Sequence, residues 1–155
     1  METESYYSIK NGKVMIREID KGNEEELDEV VEVNRSNVKR WYKDPLNERG
    51  ETSLDKLDLY TIFLHGGWWI VKQTLQPYLD WMNNCKATML IAKIIKSNNK
   101  SEVGKIVGHL DLWPSWEPQP FNQHSFIDVI TVHSGFQKQG IGSALIKHAI
   151  KISKK

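Results

Sequence analysis

The sequence predicts one mixed α/β domain, a twisted mixed sheet flanked by helices in the order β-α-α-β-β-β-α. Three observations support this prediction. Apolar segments with the alternation or branching typical of strands occur once near the N-terminus and three times after residue 86. Residues 23–42 and 140–154 carry apolar side chains at helical spacing. The 155 residues, 39% hydrophobic and 26% charged, suit a single globular domain that spans residues 1–155.

Charge and turn signals define the N-terminal elements. Residues 1–12 are polar and predict a loose segment that ends in an Asn-Gly turn. Residues 13–20 alternate fairly well between apolar and charged side chains, which predicts the first strand. The helix over 23–42 begins with acidic residues, which stabilise the positive end of its dipole. Residues 44–53 are predicted to form a loop.

Two more helical segments are predicted before the sheet resumes. A short helix spans 53–64, and a Gly-Gly pair at 66–67 interrupts the pattern. Helical spacing returns over 68–84, where Pro77 is expected to kink or restart the helix. The candidate buried positions of this helix are Trp69, Val71, Leu75, Tyr78 and Trp81.

Three further strands are predicted at 87–96, 105–113 and 125–133. The first two are joined by a short polar turn, which indicates an antiparallel hairpin. The loop at 114–124 contains three prolines and precedes the last strand.

The balance of charge and the cysteine content restrict the class of protein. The net charge is +1, which gives no reason to expect a nucleic acid or an anionic membrane as partner. Cys85 is the only cysteine, so no disulfide within the chain is possible, and packing is favoured over catalysis for it. The N-terminus has no signal-peptide pattern, and no apolar run approaches the length of a membrane span. We therefore expect a cytoplasmic protein.

The most informative segment is the glycine loop at residues 137–142, between the last predicted strand and the last helix. The first N–H groups of a helix have no partner within it, so they stabilise an anion. Gly140 and Gly142 remove side chains that would keep a diphosphate from the backbone. The P-loop pattern fails here because its Lys-Ser/Thr pair is absent. The dinucleotide fingerprint also fits poorly, because Leu145 replaces its third glycine.

The remaining pattern, Gln137-x-x-Gly140-x-Gly142, is similar to the Gln/Arg-x-x-Gly-x-Gly/Ala loop of the GNAT superfamily of acyl-CoA-dependent N-acetyltransferases. That loop cradles the pyrophosphate of coenzyme A. The resemblance includes the apolar strand that ends at Val132, the amphipathic helix after the loop and the β-α-α-β-β-β order upstream. An ordinary strand-to-helix turn that uses glycine for its geometry is the alternative.

The resemblance implies which residues bind acetyl-CoA as cosubstrate. The backbones of Ile130 and Val132 would pair with the pantetheine arm, and the N–H near Ile130 would polarise the thioester carbonyl. Gln137 would shape the loop. The full set of implied cofactor-binding residues is Ile130, Thr131, Val132, Gln137, Lys138, Gln139, Gly140, Ile141, Gly142 and Ser143.

The resemblance also implies a catalytic residue. Many family members have an acidic residue four positions before the last valine of this strand, which is Asp128 here. We expect Asp128 to act as base or to bind the amine, and to share a strand face with Ile130 and Val132 by alternation. A solvated or salt-bridged aspartate is an equally good interpretation of that residue alone.

Other polar and aromatic residues were considered for the site. His109 and Asp111 share a strand face, and His124 precedes the last strand, but packed or surface histidines are the commoner outcome. The histidines lack the helical spacing of a zinc enzyme, so no metal is expected. Core packing is the favoured interpretation of most tryptophans, and Trp113 and Trp116 are the better candidates for the acceptor site.

Compared with the family, the chain lacks the usual C-terminal strands and the helix that often carries a tyrosine acid. We therefore expect a C-terminally incomplete domain, and a possible homodimer because an open sheet edge invites pairing. Two functions remain open. The first is transfer of an acetyl group to a primary amine, on a small molecule or a peptide, by direct attack. The second is a non-catalytic CoA- or nucleotide-binding module.

Overall fold

The computed structural model describes residues 4–41, 67–115 and 124–154, with side chains of the first range described up to residue 37. The predicted loop at 44–53, the predicted helix at 53–64 and Trp116 lie outside these residues. The described chain forms β1 Ser5–Ile9, β2 Gly12–Glu18, α1 Glu24–Trp41, α2 Lys72–Asn84, β3 Thr88–Ser97, β4 Ile106–Pro114, β5 Ser125–Val132 and α3 Ile141–Ser153.

The five strands form one sheet in the order β1-β2-β3-β4-β5, and each neighbouring pair is antiparallel. The mixed α/β class is thus confirmed, with antiparallel pairing throughout the described sheet. Helices α1 and α2 cover one face, and α3 covers the other. No helix in the described ranges combines the length and apolarity that crossing a membrane requires.

The prediction of a loose segment over residues 1–12 was wrong, because β1 forms a hairpin with β2. Ser5 is buried, and Tyr7 and Ile9 pack against the core beneath α3. Polar residues between them hid this alternation in the sequence. Gly12 permits the next pairing, since a Cβ built there would lie 1.8 Å from the carbonyl oxygen of Lys96 on β3.

Each face of the sheet has its own hydrophobic core. The core beneath α3 includes Leu90, Leu110 and Leu145, each of them fully buried. The core beneath α1 and α2 includes Val30, Leu75 and Tyr78. Residues that alternate along β4 and β5 therefore project into two different environments.

Helix α2 begins later than predicted and is not interrupted by Pro77. A short 3-10 helix spans Gly67–Trp69, and α2 then runs continuously from Lys72 to Asn84. Pro77 lies in the first half of the helix and is exposed. The predicted restart at this proline is thus not observed. Leu75 and Tyr78 are buried as predicted, whereas Trp81 is 49% exposed.

A buried carboxylate fixes the start of α1 on the sheet. Glu26 is 4% exposed and accepts two hydrogen bonds from the guanidinium of Arg17, at 3.0 and 2.7 Å. It also accepts one from the backbone N–H of Asp20. Burial alone would raise the pKa of Glu26, but Arg17 and the Asp20 N–H outweigh it and lower that pKa. This pair therefore stabilises the fold above the ordinary pKa of glutamate, and the contribution is lost as pH falls through the lowered value.

Replacement of Arg17 by methionine is expected to lower the free energy of unfolding by about 2–3 kcal/mol, because Glu26 then loses its main partner in a buried site. Urea denaturation at neutral pH measures the change. The matched control is Lys21→Met, which removes the exposed ion pair with Asp80 and should cost less than about 1 kcal/mol. Equal losses in the two variants would show that Glu26 is not held in the way the structure indicates.

Candidate active site

The glycine loop connects the end of β5 to α3 through two left-handed residues. Lys138 has φ +65° and Gly140 has φ +96°, and α3 begins at the next residue. The first helical hydrogen bond runs from the Ala144 N–H to the Gly140 carbonyl. By helical geometry, the N–H groups at 141–143 have no acceptor within α3 and point out of its positive end. This is the backbone arrangement that holds an anion.

The packing around position 142 does not require a glycine. A Cβ built there would make only ordinary contacts, at 3.9 Å, with the side chains of Ile130 and Val132. These contacts also show that the start of α3 lies over the end of β5. The side-chain space at Gly142 thus lies between the helix N-terminus and the strand.

Along β5, the backbone groups alternate between β4 and the outer edge of the sheet. The His133 N–H donates to the Val107 carbonyl on the β4 side. Residues 132 and 130 therefore direct their N–H and C=O groups to the other edge, and β5 is the last strand of the described sheet. Ile130 presents both backbone groups there. Thr131, also expected to bind the cofactor, directs its backbone toward β4.

Side chains from α1 and the glycine loop donate hydrogen bonds to the Val132 carbonyl on that outer edge. This carbonyl accepts from Asn37 Nδ2 at 2.9 Å and from Gln137 Nε2 at 3.2 Å. Gln137 Nε2 also donates to Asn37 Oδ1 at 3.0 Å, and the Ser134 N–H donates to Ser36 Oγ. Gln137 thus ties the first part of the loop to α1 rather than pointing along the helix axis. At Val132, the N–H is the group that remains at the edge.

A β-bulge interrupts β5 at Asp128. In the β4–β5 register, Asp111 pairs with Val129 and Leu112 pairs with Ile127, so Asp128 is the extra residue. A bulge re-aims side chains. Ile130 and Val132 face α3, whereas Asp128 lines a pocket on the α2 face. The expectation that these three share a face was wrong, because it assumed unbroken alternation.

The pocket beside Asp128 is an aromatic cleft of about 230 Å³. Tyr78 lies at its centre, stacked on Trp68 at a centroid distance of 5.8 Å and edge-on to Trp69 at 5.3 Å. Burial and the charge of Asp111 raise the pKa of the Asp128 carboxyl. The described lining consists of six aromatic side chains and one carboxylate: Trp68, Trp69, Tyr78, Trp81, Trp113, Phe126 and Asp128.

Behind this pocket lies a polar network centred on Asp111, whose side chain is fully buried. Its Oδ2 accepts hydrogen bonds from Trp69 Nε1 and from the Tyr78 hydroxyl, both at 2.9 Å. Its Oδ1 lies 2.9 Å from His109 Nδ1. Asn34 Nδ2 lies 2.9 Å from both His109 Nε2 and the Val30 carbonyl. Burial and the charge of Asp111 raise the pKa of Tyr78 above its usual range, so its hydroxyl stays a donor.

The residues considered from the sequence lie in different surroundings. Trp113 lines the aromatic pocket, and its role in binding an acceptor stays a prediction. The packing interpretation of His109 is confirmed, since it is fully buried in the network. Within the described ranges, no group of three His, Cys, Asp or Glu side chains is arranged to hold a metal. Sequence reasoning missed Tyr78 and Phe126 as pocket residues. The i, i+3 spacing of Tyr78 and Trp81 on α2 is the signal that points to a shared aromatic face.

Comparison with known proteins agrees with this geometry. The model of the acetyltransferase (GNAT) family matches residues 39–155, about three quarters of the chain. The chain belongs to the GNAT acetyltransferase family. The family model covers α2, β3, β4, β5, the glycine loop and α3. No curated protein sequence matches the chain significantly.

Solved structures share the GNAT fold at low sequence identity. RimJ of Mycobacterium smegmatis, in complex with CoA-disulfide, has a TM-score of 0.60 and 11% identity, covering 100% of this chain and 62% of RimJ. An acetyltransferase of Trypanosoma brucei has a TM-score of 0.52 and 16% identity, covering 91% of this chain and 75% of the other. The PaiA N-acetyltransferase of Thermoplasma acidophilum, in complex with coenzyme A, has a TM-score of 0.51 and 17% identity, with coverages of 91% and 72%.

Proposed function

We propose that the chain transfers the acetyl group of acetyl-CoA to a primary amine bound in the aromatic pocket. The observation that carries this proposal is the bulge at Asp128. It directs a carboxylate into the pocket only two residues from Ile130, whose backbone faces the open edge. At about 3.3 Å per strand residue, the two positions lie about 7 Å apart, which leaves room for a reacting carbonyl and amine between them.

The residues at the glycine loop fit the diphosphate of coenzyme A. The N–H groups at 141–143 supply donors at the positive end of α3, and Gly142 leaves its side-chain space open. Lys138 and Ser143 are both exposed and add a charge and a hydroxyl. The edge of β5, at Ile130 and at the Val132 N–H, provides backbone partners for an extended pantetheine arm. Two of the structural neighbours are complexes with coenzyme A or its disulfide, which supports this assignment.

The tie between α1 and the loop gives a test of this coenzyme site. Asn37→Ala removes the side chain that bonds both Gln137 and the Val132 carbonyl. Loosening the loop is expected to weaken acetyl-CoA binding about tenfold, the equivalent of about 1.4 kcal/mol, close to one lost buried hydrogen bond. Calorimetric titration measures it, with the exposed Asn83→Ala as control. Unchanged acetyl-CoA affinity in a folded Asn37 variant would show that the tie between α1 and the glycine loop does not support the coenzyme site.

The amine must lose a proton as it attacks. Burial and the charge of Asp111 raise the pKa of Asp128, which makes it a better proton acceptor than an ordinary aspartate. The aromatic rings around it favour a cationic amine until that proton moves. The Ile130 N–H, at the outer edge of β5, would donate to the thioester oxygen.

The reaction balances without a further co-reactant. A C–N bond forms between the amine and the acetyl carbon, and the C–S bond to coenzyme A breaks. Asp128 receives the first proton of the bound ammonium group and later releases it to solvent. The second N–H proton becomes acidic once the C–N bond has formed, and it passes through water to the departing thiolate. Tyr78 is not assigned as the acid, because its hydroxyl is committed to Asp111 inside the buried network.

A non-catalytic CoA-binding module is the second candidate, since the loop and the strand edge would serve it equally well. The wild-type chain should be incubated with acetyl-CoA and a panel of primary amines, and acetylated amine measured by mass spectrometry. This readout avoids thiol reagents, which would also react with Cys85. Steady formation of an N-acetyl product together with free CoA supports the enzyme. Saturable acetyl-CoA binding without any product in a broad panel would favour the binding module.

A further inference from the structure

The chemistry of the aromatic pocket narrows the class of amine, an inference that rests on the proposed function. Among the described lining residues, Asp128 is the single charged group. A carboxylate on the substrate would be repelled by Asp128, and the described lining residues include no cation that could bind it. A second ammonium group on the substrate would lie against aromatic rings, and the described lining offers no second carboxylate to pair with it. The described walls thus suit one positive charge on an otherwise apolar body.

The polar atoms of two walls are turned away from the pocket. Trp69 Nε1 and the Tyr78 hydroxyl are donors that a sugar or peptide could use. Both instead donate to Oδ2 of Asp111, which is 0% exposed. Trp69 and Tyr78 therefore present their rings to the pocket, and their polar atoms point away from it. Because Asp111 binds these polar atoms, both side chains line the pocket as apolar groups.

The orientation of Asp111 is itself fixed by a chain of hydrogen bonds. The Val30 carbonyl can only accept, so the atom of Asn34 beside it is the amide nitrogen. The same nitrogen donates to His109 Nε2, which leaves the ring proton on Nδ1. His109 Nδ1 then donates to Oδ1 of Asp111. With Oδ1 committed to His109, Oδ2 is the oxygen that serves Trp69 and Tyr78.

We propose that the acceptor is a hydrophobic primary amine, with one ammonium group on an aromatic or aliphatic body, and that Asp111 is the specificity-determining residue. The cleft of about 230 Å³ equals the volume of roughly eight water molecules, enough for one ring and a short chain. The ring faces hold the apolar body and favour the cation, and Asp128 orients the ammonium group. An amino acid, a sugar amine and a polyamine each bring groups that these walls do not satisfy.

Three probes test the preference. 2-Phenylethylamine carries the proposed features, phenylalanine adds only a carboxylate to it, and spermidine replaces the ring with further charges. We expect kcat/KM for 2-phenylethylamine to exceed that for each of the other two at least about 100-fold. Calorimetry in the presence of CoA gives the same order of affinities without turnover. Equal or better use of phenylalanine or spermidine would overturn the inference and leave the acetyltransferase standing.

Asp111→Asn tests the specificity residue. Its amide nitrogen faces either the donors of Trp69 and Tyr78 or the N–H of His109, so the variant loses at least one of these hydrogen bonds. We expect the preference for 2-phenylethylamine over phenylalanine to fall at least about tenfold, while acetyl-CoA affinity changes less than about twofold. The indole N–H resonance of Trp69, assigned through Trp69→Phe, should shift in the same variant. An unchanged preference in a folded Asp111→Asn chain would remove Asp111 from the inference.

Tyr78→Phe provides a second variant if Asp111→Asn does not fold. It keeps the ring but releases it from Asp111, and we expect KM for 2-phenylethylamine to rise about threefold to tenfold with acetyl-CoA affinity unchanged. Tyr7→Phe is the matched control, since it removes a hydroxyl bonded to buried His148 on the opposite face of the sheet. Equal effects of the two variants would mean that only stability had changed. If no amine is acetylated at all, the proposed function fails, and calorimetry with the three probes still decides what the pocket binds.

Discussion

Asp128→Asn should lower kcat by about 100-fold or more, the usual contribution of a positioned general base, while acetyl-CoA affinity stays within about twofold. The asparagine keeps the shape of the bulge and the edge of the pocket but accepts no proton. Acetyl transfer under saturating amine and acetyl-CoA measures the change. Asp80→Asn alters an exposed residue of α2 that forms an ion pair with Lys21, and this control should retain full activity.

The pH profile adds an independent check on the same residue. Because burial and Asp111 raise the pKa of Asp128, the wild-type rate should fall as pH decreases through that raised value, where the base becomes protonated. This loss should begin at a higher pH than an ordinary aspartate would give. Asp111→Asn should move it to lower pH, and Asp128→Asn should abolish it. A full rate in Asp128→Asn at neutral pH would place the base elsewhere.

Gly142→Asp is expected to weaken acetyl-CoA binding at least about 100-fold, equal to about 2.7 kcal/mol. Its carboxylate would take the position at the helix N-terminus that the diphosphate requires, and would repel it. The fold should survive, because a negative charge in the first turn of a helix is favourable and a Cβ at this position meets no close contact. Calorimetric titration with acetyl-CoA gives the affinities.

Gly142→Ala separates the bulk of the side chain from its charge. Alanine should stabilise α3 by about 0.5–1 kcal/mol, and it should weaken acetyl-CoA binding less than aspartate does. Tight binding by Gly142→Asp would mean that the diphosphate does not approach the start of α3. Loss of binding together with loss of fold, seen by circular dichroism, would point to a structural role for the glycine.

The sequence predicted the helices and strands of the second half of the chain within one or two residues at most ends. Strong periodicity explains this success, since β3, β4 and α3 each bury a complete apolar face. The hairpin at the N-terminus was missed because the only buried residue of β1 is Ser5, whereas Tyr7 and Ile9 are only half-buried. Propensity alone does not detect a strand whose stability comes from its neighbour and from the helix above it.

The glycine loop was predictable for a different reason, because a backbone that binds an anion needs particular residues at particular spacings. The aromatic pocket was not predictable, since it is assembled from residues that span more than 50 positions along the chain. Trp68 on the 3-10 turn, Tyr78 on α2 and Phe126 on β5 meet only in the folded protein. The face of Asp128 was mispredicted because a bulge depends on pairing with β4, which alternation within one strand does not reveal.

The bulge makes the position of the Asp128 carboxylate depend on the number of residues in β5 as well as on their identity. Deleting one residue at the bulge would restore regular pairing of β5 with β4 and leave the glycine loop and its neighbours unchanged in composition. The carboxylate would then disappear from the pocket or turn to the α3 face. Insertions and deletions are usually tolerated in loops and excluded from strands. Under the proposed function, a single-residue change of length in β5 would convert an amine acetyltransferase into a protein that only binds the coenzyme, which is a short evolutionary path between the two candidate functions.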